Sequence, residues 1–297
     1  MKALTVLRRA PRLTVVVLAG LLAVGAVALA SPSLPIVAPT PKLADQMTNI
    51  DVLRQEIKNY YGAPSATTGP SGTWADPLNL ESNYAREAGW VAASGSHWLD
   101  AKAHAKSTPA KKAIVLDVDD STLATFNYEL YSNWDYNPTT NADFVNNERF
   151  PAVPGMVDMV NQAAAEGYKI IWLTGRPASQ EAATLTNLLK VGYPSPSALP
   201  DATQGGGSDG IFTKPPLFLD PPTNSVPNPD YPSYLKFCNA PTPTTSCNTD
   251  EYKSATRQYI ESLGYDIVAN FGDQYSDFSG GFEDRTFKMP NPSYFLP

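Results

Sequence analysis

Histidine is nearly absent from this chain. The 297 residues hold two, His97 and His104. That excludes a multi-histidine metal site and leaves little for Ser-His-Asp or Cys-His catalysis. Cysteine is as scarce: Cys238 and Cys247 are the only two, and their spacing excludes a C-x-x-C redox or zinc pair. Charge is low at 17%, and the balance is acidic at −7. Four of the cations (Lys2, Arg8, Arg9, Arg12) stand in the first 30 residues without an acid, so the remainder is more acidic still. Such a chain is a poor binder of nucleic-acid polymers or anionic membranes. What the chain does have is a 42% hydrophobic content. A sizeable core follows, and whole-chain disorder is excluded. The length allows one large α/β domain or two smaller ones.

One long apolar run exists, Leu13 to Ala30, preceded by a basic stretch and ending Ala28-Leu29-Ala30. This is the pattern of a secretory signal peptide over 1–30, cut after Ala30. The alternative is an uncleaved membrane anchor. The expected location is secreted, with no stable membrane partner once the signal is removed. Residues 31–41 are Pro-rich and read as a flexible leader. An oxidising compartment favours a Cys238–Cys247 disulfide, which would contribute about 2–3 kcal/mol.

Periodicity then organises the chain. Leu43, Met47, Ile50, Leu53, Ile57 and Tyr60 predict one face of a helix over 42–61. Residues 62–79 form a Gly/Pro/Ser/Thr loop, and Glu81 to Lys106 a second long helix. From Ala113 the pattern becomes strand and helix in alternation. Strands are expected at 113–116, 169–173 and 267–271, and helices at 154–166, 177–190 and 249–263. That alternation predicts a doubly wound parallel sheet with helices on both faces. Residues 192–250 interrupt it with 12 of the chain's 28 prolines. They read as a surface insertion, with one short strand at Ile211-Phe212.

Chemistry gathers at the strand ends. The first ends Asp117-Val118-Asp119-Asp120-Ser121-Thr122, the second Thr174-Gly175-Arg176, and the third Gly272-Asp273-Gln274-Tyr275-Ser276-Asp277. Ligands in such sheets sit outside these carboxyl ends. Five clustered carboxylates would repel one another without a cation, and an all-oxygen set points to Mg²⁺. Lys253, in the first turn of the last helix, adds a fixed positive charge. The combination suits a phosphate group, and a carboxylate can attack phosphorus to form an acyl phosphate.

Other matches fail on context. Gly206-Gly207-Ser208-Asp209-Gly210 fits G-x-S-x-G but lacks a preceding strand, and no histidine follows it. The overlapping G-x-G-x-x-G is followed by Pro215-Pro216 where a helix should open. The aromatics from Phe126 to Tyr136 suit either a substrate mouth or a small packed cap.

In these motifs the sequence resembles the haloacid dehalogenase (HAD) superfamily. Within it, the likeness is to class B and plant acid phosphatases, the subfamily IIIB group that includes vegetative storage proteins. Asp117-Val118-Asp119-Asp120 is similar to the first motif and Trp172-Leu173-Thr174-Gly175-Arg176 to the second. Tyr252-Lys253-Ser254 with Arg257 is similar to the third, and Asn270 through Asp277 to the fourth. The ending Phe287 to Pro292 and the early Asn49 to Arg54 also look like this group.

The resemblance implies a HAD-like domain over 42–297. It would comprise a helical N-terminal segment at 42–106, a small cap at about 123–150, and the insertion at 192–250. It implies a secreted, Mg²⁺-dependent acid phosphatase that hydrolyses small phosphomonoesters through an aspartyl-phosphate. Asp117 would be the nucleophile and Asp119 the general acid and base. Thr174, Arg176 and Lys253 would bind phosphate or substrate, with Lys214 a rival for the lysine. Asp117, the backbone carbonyl of Asp119, Asp273 and Asp277 would serve the metal. Ser121 stands where the group often has Thr and keeps the hydroxyl. Two alternatives stay open: a non-catalytic extracellular storage or binding protein on the same fold, and a phosphotransferase acting on alcohols.

Overall fold

Five parallel strands form the centre of the protein, in the order β3-β2-β1-β4-β5. They are β1 Lys111–Leu116, β2 Lys169–Pro177, β3 Ile211–Lys214, β4 Tyr265–Gly272 and β5 Thr286–Lys288. The computed structural model describes residues 41–63, 78–103, 111–203, 207–219, 223–239 and 247–296. The expected signal peptide, nearly all of the leader, most of the 62–79 loop, His104 and the Gly205-Gly206 pair lie outside the described residues. So does the side chain of Cys238.

Strand side chains alternate between the two faces, as the pleat requires. Ile114, Leu116, Ile170 and Trp172 enter one core, with helices α1 (Ile50–Tyr60), α2 (Asn83–Ala103) and α5 (Met156–Ala165). Ala113, Val115, Ile171 and Leu173 enter the other, under α7 (Thr249–Ser262). Three further helices are α3 (Phe126–Ser132), α4 (Pro138–Asn146) and α6 (Glu181–Lys190). The doubly wound architecture predicted from the strand-helix alternation is therefore present.

Burial of Tyr84, Ala88, Ala92, Gly95 and Leu99 makes one stripe down α2. Gly95 lies so close to the sheet that a Cβ there would strike the Phe271 ring. α7 opens on a reciprocal cap: Asn248 Oδ1 accepts from the Glu251 N–H at 2.7 Å, and Glu251 Oε2 accepts from the Asn248 N–H at 2.9 Å.

Three expectations are corrected. The first helix starts at Ile50, not Lys42, because Asn49 caps it through the Asp51 N–H at 2.9 Å. Leu43, Met47, Ile50 and Leu53 are exposed, and burial begins at Ile57 and Tyr61, where the chain meets the body. The helix expected from Pro177 begins at Glu181, because β2 runs on through Pro177 and a short 3₁₀ turn follows. The 192–250 stretch is not only surface: β3 is the sheet edge, and a 3₁₀ segment, Ser233–Asn239, packs beneath α7. There Tyr234 stacks on Tyr259 with ring centroids 4.4 Å apart.

The chain leaves β1 towards β2 and β3, then returns to lay β4 on the other side. The carboxyl ends of β1 and β4 flank that reversal, where α/β sheets place their ligands.

Candidate active site

Asp117 follows directly on β1 and extends the ladder, its N–H donating to the Phe271 carbonyl at 2.9 Å. The turn after it is tied by Thr122, whose hydroxyl donates to the carbonyls of Asp117 (3.0 Å) and Val118 (3.2 Å). The Ser121 hydroxyl donates to Asp117 Oδ2 at 3.0 Å and lies 3.4 Å from Asp273 Oδ1. Asp120 adopts φ +51°, a conformation that non-glycine residues rarely hold without a local reason. Its carboxylate is tied down locally, accepting from the Thr125 N–H (2.9 Å) and hydroxyl (2.5 Å) just before α3.

β4 and α7 supply the opposite wall. The Lys253 ammonium donates to Asp117 Oδ1 and, at 2.5 Å, to Asp277 Oδ1. Both acids and the lysine are buried. Asp277 Oδ2 accepts from the Gln274 N–H at 2.8 Å. Gly272 makes room for this, because a Cβ there would run into the Asp277 carboxylate. Arg257, fully buried, gathers the carbonyls of Asp277, Ser279 and Gly281 and pairs with Glu283 at 3.1 Å. It thereby holds the turn that presents Asp277. Asp273 Oδ2 accepts from Gln274 Nε2 (2.5 Å) and Asn291 Nδ2 (2.7 Å). Asp117 Oδ2 and Asp273 Oδ1 thus both face the one Ser121 hydroxyl.

β2 supplies Thr174, fully buried, whose hydroxyl accepts from the Arg176 N–H at 3.2 Å. The Arg176 guanidinium grips Asp119 with two bonds, Nε to Oδ2 at 3.0 Å and Nη2 to Oδ1 at 2.6 Å. Its Nη1 donates to the Thr184 hydroxyl at 2.9 Å. Asp119 is the most open acid of the group, with its side chain 33% exposed.

Burial pushes the Asp117 carboxyl well above the usual range; Lys253 opposes this, while Asp277, Asp273 and Asp119 reinforce it. Burial also raises Asp273 to about 7, with Asp277 and Asp120 adding to the effect. Burial works against the Lys253 ammonium, but Asp117 and Asp277 outweigh it and hold the proton more tightly than usual. One lysine therefore does not neutralise the pocket. Oxygens of Asp117, Asp273 and Asp277 lie within 4.8 Å of one another, and all three residues are buried. Hard oxygen donors at this spacing, with surplus negative charge, fit a divalent metal ion.

Most of the residues singled out from the sequence converge here. Asp117, Asp273, Asp277 and Lys253 form one cluster, and Thr174, Arg176 and Asp119 form its neighbour. The Asp119 carboxylate is not in the three-acid group, because Arg176 holds it, and Arg176 is accordingly committed to Asp119. Asp120 is tied to Thr125. Lys214, half-buried at the end of β3, has its ammonium disfavoured by burial, and Glu251 offsets part of this. His97 is exposed on α2. Sequence reasoning missed Asn291 and Thr184 as partners of Asp273 and Arg176. Only the likeness of the Phe287–Pro292 stretch pointed towards Asn291.

Known proteins agree with this architecture. The chain is 30% identical over 202 residues to the stem 28 kDa glycoprotein of Glycine max, covering 66% of this chain and 63% of that protein. It is 27% identical over 188 residues to acid phosphatase 1 of Solanum lycopersicum, covering 61% of this chain and 58% of that protein. The chain thus spans less than two thirds of the length of these relatives. A class C acid phosphatase from Bacillus anthracis, solved with tungstate bound, superposes with a TM-score of 0.53 at 20% identity. That match covers 83% of this chain and 87% of that one, and it bears on the fold alone. The sequence profile described as HAD superfamily, subfamily IIIB (Acid phosphatase) matches residues 81–206 and 239–297, more than half of the chain. With its strand-end acids, buried lysine and five parallel strands, the chain belongs to that subfamily of the HAD superfamily.

Proposed function

We propose that this protein is a phosphomonoesterase that works through a covalent aspartyl-phosphate. The observation that carries the reading is Asp117, buried beside Lys253 and facing Asp273 across the Ser121 hydroxyl. Asp117 attacks phosphorus, and the bond to the leaving oxygen breaks. Asp119, the accessible acid, delivers a proton to that oxygen. It then takes a proton from water as the water attacks phosphorus, the Asp117–phosphorus bond breaks, and inorganic phosphate leaves. Arg176 holds Asp119 in orientation, and the Thr174 hydroxyl and Lys253 hold the phosphoryl oxygens.

Asp117, Asp273 and Asp277, with the backbone carbonyl of Asp119, are the residues that would hold Mg²⁺. The ion would supply charge neutralisation for the phosphoryl group. Residues 123–150, which contain α3 and α4, serve as the cap. Residues 1–30 serve as a signal, so the mature protein is exported and Cys238 pairs with Cys247. The plant stem glycoprotein and vegetative storage relatives support a secreted or vacuolar setting. The intact Asp117 favours an enzyme over a non-catalytic storage protein on the same fold.

The test is turnover of an aryl phosphate by the mature protein. Asp117→Asn and chelation should each abolish it. Full activity in Asp117→Asn would overturn the mechanism.

A further inference from the structure

The turn that carries Asp277 is an awkward piece of backbone. Gly280, Gly281 and Phe282 follow one another at φ +82°, +76° and +74°, and a phenylalanine resists that region. Gly280 is wedged on α7, where a Cβ would strike the hydroxyl of Ser254, the neighbour of Lys253. Such a turn persists only where its surroundings over-determine it. Arg257 grips it from within. Its Nε donates to the Gly281 carbonyl at 2.9 Å, its Nη1 to the Asp277 carbonyl at 2.5 Å, and its Nη2 to the Ser279 carbonyl. The Asp277 carbonyl also accepts from Asn270 Nδ2, at 2.8 Å.

Arg257 in turn needs an anchor, and Glu283 provides it. The two side chains are 1% and 3% exposed and meet at 3.1 Å. Glu283 stands where the chain rejoins the sheet. The next residue, Asp284, donates its N–H to the Ile267 carbonyl at 2.9 Å, and the Arg285 carbonyl accepts from the Asn270 N–H at 2.9 Å. A line of contacts therefore runs from β4 through Glu283 and Arg257 to Asp277. Burial works against both charges, and each is the other's chief support. An ion pair this deep offers little net stability over apolar groups of the same volume, so its value lies in the geometry it fixes. Glu283 also offsets a cation that would otherwise stand behind Asp277 and repel a divalent ion.

We propose that Glu283 is a positioning residue for the metal centre: through Arg257 it sets the turn, and with it the Asp277 carboxylate, before any ion arrives. This deepens the proposed function and rests on Asp277 serving Mg²⁺. Loss of Glu283 should weaken the hold on the ion without removing any group that touches substrate.

The test titrates Mg²⁺ into the metal-stripped protein by calorimetry, so that no turnover is needed. Glu283→Gln should raise the Mg²⁺ dissociation constant by about tenfold to a hundredfold, the range for groups that stand behind metal ligands. Glu283→Asp keeps the charge and should recover part of the loss. In the aryl phosphate assay, Glu283→Gln should need more Mg²⁺ for its half-maximal rate and approach the wild-type kcat at saturating Mg²⁺. A merely structural role would lower the melting temperature and leave the dissociation constant where it was. An unchanged dissociation constant in Glu283→Gln, no recovery in Glu283→Asp, or no Mg²⁺ binding by the wild type overturns the assignment. If Glu283→Gln does not fold, hydrogen exchange on the wild type decides. The Phe278 and Gly281 N–H groups, bonded within the turn, should be protected without Mg²⁺ as well as with it. Protection that appears only on adding Mg²⁺ overturns the assignment. The expected Mg²⁺ affinities in a protein with no phosphatase turnover would leave it standing and remove the catalytic reading alone.

Discussion

Asp117 and Asp119 are two residues apart, yet their surroundings differ in the way the proposed mechanism needs. Asp117 is buried among acids with one ammonium for company, whereas Asp119 is a third exposed and held by a bidentate arginine. A nucleophile needs the fixed, water-poor position, and a proton carrier needs access to the leaving group and to water. Asp119→Asn should therefore slow hydrolysis of the phosphoenzyme more than its formation from a substrate with a good leaving group. Rapid mixing with an aryl phosphate should show a burst of about one phenolate per protein, then slow turnover. A linear trace at the wild-type rate would contradict the assigned role. The division of labour was only partly legible in sequence. The acids announced themselves by standing at strand ends. The Asp119–Arg176 grip did not, since it joins β1 to β2 across a sheet whose register no local pattern encodes.

The elements differ in how openly the sequence declares them. β1, β2 and β4 are apolar runs that end in acids or small polar residues, so burial on both faces left a plain trace. β5, Thr286–Lys288, is a three-residue edge strand with only Phe287 buried, too short for periodicity to register. The face from Leu43 to Leu53 is a real helical period, but the apolar burial of this segment comes at Ile57 and Tyr61, where Tyr61 stacks on Phe126 of α3. Apolar spacing reports what a helix could bury, not whether a neighbour exists. At this scale the sharpest prediction concerns the junction of β4 with the following turn. Gly272→Ala places a methyl group against the Asp277 carboxylate, which Lys253 and Gln274 hold. We expect activity to fall by about tenfold or more, with a loss of about 1–3 kcal/mol in stability, read by aryl phosphate assay and denaturant melting. An unaffected variant would mean that the turn relaxes freely.

The whole molecule carries the acid cluster as an electrostatic load. Burial raises Asp120 to about 6, Asp273 to about 7 and Glu129 to about 8. Each folded value lies above the unfolded one near 4, so between the two the native state keeps protons that the unfolded chain has released. The metal-free protein should then lose stability as pH climbs from about 4 to about 8. Mg²⁺ should raise the melting temperature more at about pH 7 than at about pH 4.5, because protonated carboxyls bind cations poorly. Calorimetry with and without chelator checks both signs, and equal Mg²⁺ shifts at the two pH values would refute the account.

The five-strand order also bears on what happens if the backbone is severed. β4 and α7 come after the proline-laden stretch, yet β4 is zipped to β1 and α7 delivers Lys253 to Asp117. A single clip engineered at 220–222 would separate the polypeptide into two fragments while leaving these seams untouched. A denaturing gel should then resolve two bands where gel filtration finds one particle that still turns over substrate. Covalent continuity across that stretch would be dispensable once folding is complete.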